Sequence, residues 1–156
     1  MRRSFPAGHP DEGDLLNRLA YLLAARGAVD ADPVYREAVT FKAALEGEPV
    51  FVTDGLHFLA SARHRSGDLA GAEANYRSAL GVYRRQLPNG HAYRAAAATG
   101  LGAVLLDAGR AGEAERYLRE GLAQWQAHSP PDPDGLARVH ALVARAVEER
   151  SATTGS

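Results

Sequence analysis

The chain has no cysteine, so it forms neither a disulfide nor a thiolate centre. A reducing compartment fits that absence, and a cytoplasmic location is the expectation. It also lacks a strong charge of either sign. A formal net charge of -1 gives no basic field for nucleic acid or for an anionic membrane surface. No apolar run approaches the roughly 20 residues needed to cross a bilayer. Arg2 and Arg3 are followed by acidic Asp11 and Asp14 before any apolar stretch, which is not the order of a signal peptide. Lysine is nearly missing: Lys42 is the single one among 18 basic residues, the bias expected of a GC-rich bacterial genome.

Catalytic signatures are missing as well. There is no His-Glu-x-x-His, no Gly-Lys-Ser/Thr phosphate loop and no Gly-x-Ser-x-Gly elbow. Gly100-Leu-Gly102-Ala-Val-Leu105 lacks the third glycine of a dinucleotide loop and falls within a helical pattern, so it reads as packing. His57 and His64 are seven apart and share a helical face. They would nonetheless stand about 10.5 Å apart along the axis. A Zn²⁺ with bonds of about 2.0–2.1 Å could not take both. The expectation is therefore no metal, no cofactor and no enzymatic activity.

What is present is a repeat. Gly67-Asp-Leu-Ala-Gly-Ala72-Glu-Ala-Asn-Tyr76-Arg-Ser-Ala79-Leu80 aligns with Gly109-Arg-Ala-Gly-Glu-Ala114-Glu-Arg-Tyr-Leu118-Arg-Glu-Gly121-Leu122 at an offset of 42. Leu59-Ala60 and Leu101-Gly102 precede them in the same register. Each copy reads as a helix, a tight turn at Gly67 or Gly109, and a second helix. Small residues let the two helices approach, while Leu and Tyr fill the space beside them.

This pattern resembles the tetratricopeptide repeat, with its Leu-Gly on the first helix and Ala-x3-aromatic on the second. The spacing exceeds the plain 34-residue period. The surplus falls before and within Leu87-Pro88-Asn89-Gly90-His91, which resembles the linker of the kinesin light chain variety. Gly8-His9-Pro10 matches the same linker wording. Leu19-Ala20, Leu23 and Gly27 fall on Leu101-Gly102, Leu105 and Gly109, giving an earlier copy of the first helix. Its second helix fits two registers, Tyr35-x2-Ala38 and Phe41-x2-Ala44.

The expected fold is therefore all-α, an α-α superhelix of about three hairpins with a C-terminal capping helix. The expected divisions are a tail at 1–10, repeats at about 11–46, 53–87 and 91–128, a cap at 135–150 and a disordered tail at 151–156. Helices are expected at about 54–66, 69–87, 91–108 and 111–128. Val50-Phe-Val reads as an apolar linker, with Thr53 or Asp54 capping the helix after it.

The resemblance implies a concave wall built by the first helices, used to dock a protein or peptide. It places the partner-binding groove at Asn17, Tyr21, His57, Ser61, His64, Arg65, Thr99 and Ala103, extended by Arg138 and Arg145 on the last helix. Asn17 matches the family's backbone-holding asparagine; His57 and Thr99 stand in its place in the later copies. Histidines in such a groove would make binding change between about pH 6 and 7. A second reading is a self-associating scaffold or homo-oligomer, with Val50-Phe-Val, Tyr83 and Trp125 as contacts. A third is a regulatory sensor domain of a larger bacterial kinase or transcription regulator.

Overall fold

The computed structural model describes residues 50–154, with the side chains of 55–154, and the separate positions 15, 19, 22, 33, 34 and 37. Five helices follow one another: α1 (Val50–Ser66), α2 (Leu69–Gln86), α3 (Ala92–Asp107), α4 (Ala111–Gln126) and α5 (Pro133–Thr154). No strand occurs among the described residues. The helices pair as antiparallel hairpins, α1 with α2 and α3 with α4, and stack in order with α5 closing on α4. This is the all-α solenoid that the repeat implies.

The two hairpin turns are built alike. Gly67 and Gly109 have φ of 86° and 74°, a left-handed conformation that only glycine takes without a Cβ penalty. In the first turn the Gly67 and Asp68 amides donate to the carbonyls of His64 and Arg63; in the second, those of Gly109 and Arg110 donate to Leu106 and Leu105. Asp68 then caps α2 by accepting from the Gly71 amide at 2.9 Å. Arg110, at the equivalent place, makes no side-chain cap.

The Leu87–His91 linker is stitched to the end of α4. Gly90 donates its amide to Gln124 Oε1 at 2.9 Å, and its carbonyl oxygen lies 2.8 Å from His128 Nδ1. Arg94 donates to the Leu87 carbonyl at 3.1 Å. These bonds satisfy linker backbone that has no helix to join.

The core runs continuously through the stack: Tyr83, Leu80, Leu101, Leu105, Leu118 and Val139 are all but sealed from solvent. On the outer side, Arg77 of α2 bonds both Glu73 and Glu113, and Arg84 pairs with Glu120 of α4. Each such half-exposed pair contributes at most about 1 kcal/mol.

Three expectations are corrected. Val50-Phe-Val is the first turn of α1 rather than a linker, so neither Thr53 nor Asp54 caps that helix. The intrinsic cost of β-branched residues in a helix is only a few tenths of a kcal/mol each, and hairpin packing outweighs it. The last helix starts at Pro133, capped by Asp132, and runs to Thr154. Residues 151–154 are thus helical, not disordered. Ser151, Thr153 and Thr154 bond back to carbonyls one turn earlier, and Arg150 anchors the end of α5 to buried Glu115 of α4 at 3.1 Å. Leu19 is 45% exposed, unlike the buried Leu101 it aligns with, and Leu15 and Leu22 are more exposed still. The two registers proposed around Tyr35 and Phe41 lie outside the described residues.

The linker gives a sharp stability test. Gly90 has φ of 78°, and an added Cβ would overlap the Ala127 carbonyl oxygen. Gly90→Ala should therefore cost about 2–4 kcal/mol, from left-handed strain plus a backbone clash. Gly112 in α4 has nothing within 4 Å of its Cβ position. Gly112→Ala should be neutral or stabilise by up to about 1 kcal/mol. Urea denaturation of both variants reads the contrast, and equal midpoints would contradict it.

Candidate functional site

The first helices α1, α3 and α5 line one side of the stack, while α2 and α4 form the other. Between the first helices lies a pocket of about 290 Å³ lined by His57, Ser61, Tyr76, Ala96, Thr99, Gly100, Trp125, Asp132, Asp134, Gly135 and Arg138. The room comes from small residues. A Cβ on Gly100 would stand 2.5 Å from the Tyr76 ring, and one on Gly135 would stand 2.9 Å from the Trp125 ring. Tyr76 and Trp125 thus lie close against the backbone and form an aromatic floor.

The polar groups divide by whether they are already engaged. Thr99 donates to the Ala95 carbonyl at 2.7 Å and accepts from Trp125 Nε1 at 3.3 Å. Asp132 Oδ1 accepts from the amides of Asp134 and Gly135 and caps α5. Burial pushes the Tyr76 phenol up, opposed by its hydrogen bond with Ser61 and by the positive charges of Arg138 and Arg65. His57 meets Tyr76 edge to face, with ring centroids 5.4 Å apart. Its Nδ1 is buried with no hydrogen-bond partner among the described residues.

A second cluster sits further along the same wall. His64 Nε2 of α1 lies 2.7 Å from Asp107 Oδ2 of α3, and Arg145 of α5 donates to Asp107 Oδ1 at 3.0 Å. Arg145 also donates to Glu149 at 2.7 Å. Burial raises the Asp107 carboxyl, but the bonds from His64 and Arg145 outweigh it and hold the group below the usual carboxylate range. These residues tie the three first helices together and are engaged with one another.

The ten groove residues expected from sequence therefore separate. His57, Ser61, Thr99 and Arg138 meet in one pocket; His64 and Arg145 meet on Asp107; Arg65 stands exposed on α1. Ala103 is 6% exposed and Thr99 3%, so neither presents an open groove surface. The reason is that α3 is the inner first helix, flanked by α1 and α5. Asn17 and Tyr21 lie outside the described residues. The sequence reading missed Tyr76, Asp107, Asp132 and Asp134. Tyr76 carried a repeat-packing signal that concealed its second role, and Asp107 gives none, since its partners are 43 and 38 residues away.

Among the described residues no group of three or more His, Cys, Asp or Glu is placed to hold a metal ion. None of their helices is long and apolar enough to cross a membrane.

The tetratricopeptide repeat family model matches residues 52–127. Nearly identical TPR-like repeats of kinesin light chain type from Podosopora anserina superpose at a TM-score of 0.77 and 18% identity, covering 98% of this chain and 73% of that one. BtubC (BKLC) from P. vanneervenii superposes at 0.67 and 22% identity, over 99% of this chain and 68% of its own. No curated protein sequence matches the chain. Residues 52–127 are tetratricopeptide repeats.

The state of His57 yields a pH prediction. Burial, with the nearby Arg138 charge second, lowers its pKa to about 4. The change of binding expected between pH 6 and 7 is therefore not carried by this histidine. In the unfolded chain the same imidazole titrates near 6.5, so below that pH only the unfolded state takes up the proton. The stabilising contribution is complete above about pH 6.5 and is lost as pH falls toward 4, on the order of 3 kcal/mol. His57→Gln should flatten the fall in unfolding free energy between those limits, measured by urea titration at stepped pH. Identical slopes in the two proteins would count against a buried neutral His57.

Proposed function

We propose that this protein is a non-catalytic interaction module that docks a segment of a partner protein along its first-helix wall. Tetratricopeptide-repeat folds generally serve protein–protein interaction and are typically not enzymes. For this chain the supporting observation is the pocket between α1, α3 and α5, which carries an exposed Arg138 with no hydrogen-bond or ion-pair partner among the described residues. A concave pocket with aromatic floor and a few polar groups is a natural anchor point for one side chain of a docked segment. Arg65 and Ser61 extend the contact along α1. In this reading the chain is an adaptor, attached to or acting beside a larger bacterial kinase or transcription regulator.

The self-association reading loses two of its proposed contacts. Tyr83 is 0% and Trp125 9% exposed, so neither forms a surface patch. They could serve as contacts only if exposed, and the stacking of α2 against α3 and of α4 against α5 buries them. Val50, Phe51 and Val52 belong to α1.

Affinity capture from a lysate of the source organism, analysed by mass spectrometry, tests the docking reading. Arg65→Glu combined with Arg138→Glu should remove the captured partner, and Arg116→Glu on the outer side should keep it. Arg145 is a poor probe, because a reversed charge there would face Asp107 and Glu149 and loosen α5 itself. An unchanged set of partners after the double reversal would take the first-helix wall out of the function.

A further inference from the structure

Three polar groups lining the pocket have no partner among the described residues: Nδ1 of His57, the carboxylate of Asp134 and the guanidinium of Arg138. The absence is selective. Glu73 with Arg77, Glu115 with Arg119 and Arg145 with Glu149 are also acid–arginine pairs four apart on one helix, and all three close at 2.7–2.8 Å. Asp134 and Arg138 have the same spacing and the favourable acid-first order. They stay apart, and both face the pocket.

We infer that this pocket binds a small zwitterion of the α-amino-acid class. The Arg138 fork takes the carboxylate, in the planar two-bond geometry that guanidinium offers. Asp134 takes the ammonium. The side chain of the ligand lies on the Tyr76–Trp125 floor, with His57 Nδ1 as the one deep polar contact. Charge selects the class. A zwitterion offers a carboxylate to Arg138 and an ammonium to Asp134, and so complements both groups at once, whereas a bare anion or a bare cation leaves one of them unpaired. Size agrees with a ligand smaller than a drug, since 290 Å³ lies just under the roughly 300–1,000 Å³ range of ligand pockets.

This occupant takes the same pocket and the same Arg138 that the docking reading offers to a partner side chain, so the two are told apart by which ligand binds. Trp125 is the sole tryptophan and lies in the pocket wall, so its fluorescence reports entry directly. The full chain is titrated with the L-amino acids that do not absorb at the exciting wavelength, and the aromatic ones are followed by calorimetry. Each responding amino acid is then compared with its deaminated and its decarboxylated analogue. The expected result is saturable binding of at least one amino acid at millimolar concentration or below, with both analogues at least about tenfold weaker. Arg138→Gln and Asp134→Asn should each weaken binding about tenfold or more, while Arg116→Gln leaves it unchanged. Circular dichroism melts show whether the variants are folded. Arg138→Lys, which keeps charge but loses the fork, is the second variant should Asp134→Asn disturb the start of α5; it too should weaken binding. The proposal is overturned if no amino acid binds, if Arg138→Gln leaves affinity intact, or if the bare carboxylate binds as well as the amino acid. That last outcome would make the pocket a subsite for an acidic side chain. Amino-acid binding with no partner captured would sink the docking reading alone.

Discussion

The lack of side-chain volume along α3 is the constraint on which the stack depends. Gly100 admits the Tyr76 ring of the preceding hairpin, and Gly102 admits Leu118 of its own second helix, each at 2.5 Å from where a Cβ would stand. Gly121 returns the same service from α4, where a Cβ would lie 2.6 Å from Thr99 Oγ1. Close approach at these points brings the large residues Leu101, Leu105 and Leu106 into contact on all sides, where dispersion and burial stabilise the fold. A glycine in a helix interior costs up to about 1 kcal/mol in propensity. Burial of a single leucine offsets that cost, at about 1.5–3 kcal/mol.

The pocket is a consequence of the same economy of volume. Ala96 and Gly100 leave space on the first-helix side, and the rings that fill the hairpin interior form its floor. The residues around it come from five separate segments of chain, so their convergence depends on the stacking rather than on any local motif. The wall divides into two functional characters. At His64, Asp107 and Arg145 the charges satisfy one another and bind the first helices into a unit. Around His57, Asp134 and Arg138 they do not, and these groups have no partner among the described residues.

The outer side has a different task. Arg77, Glu73, Glu113 and Arg110 form a chain of ion pairs between α2 and α4, with the Arg77 guanidinium also donating to the Tyr117 hydroxyl at 2.7 Å. Exposed pairs of this kind add little to stability. Their recurrence fixes the lateral register of one hairpin on the next. Glu115 does comparable work at the end of the stack, where it is 6% exposed and joins Arg119 to Arg150 of α5.

The hairpins were legible in the sequence because they are local and periodic. A 42-residue offset, glycine at each turn and small residues facing Leu or Tyr are all carried by neighbours in the chain, and they determined the helical hairpin repeat. The start of α1 at Val50 and the reach of α5 to Thr154 were not legible, because tertiary contacts outweighed weak local propensities. The same distinction governs the site. His57, Ser61 and Arg138 were read as groove positions on first helices, but which of them is engaged was decided by packing: Ser61 bonds Tyr76 of α2, while His57 Nδ1 has no partner among the described residues. Asp107 took His64 and Arg145 out of the free surface, and the flanking helices closed over Ala103. Sequence alone sets which side chains face inward along a helix, since that follows from a period of 3.6 residues. Which of them find a partner is set by how hairpins lie on one another, since a charge pair forms only where two distant backbones come within a few ångströms.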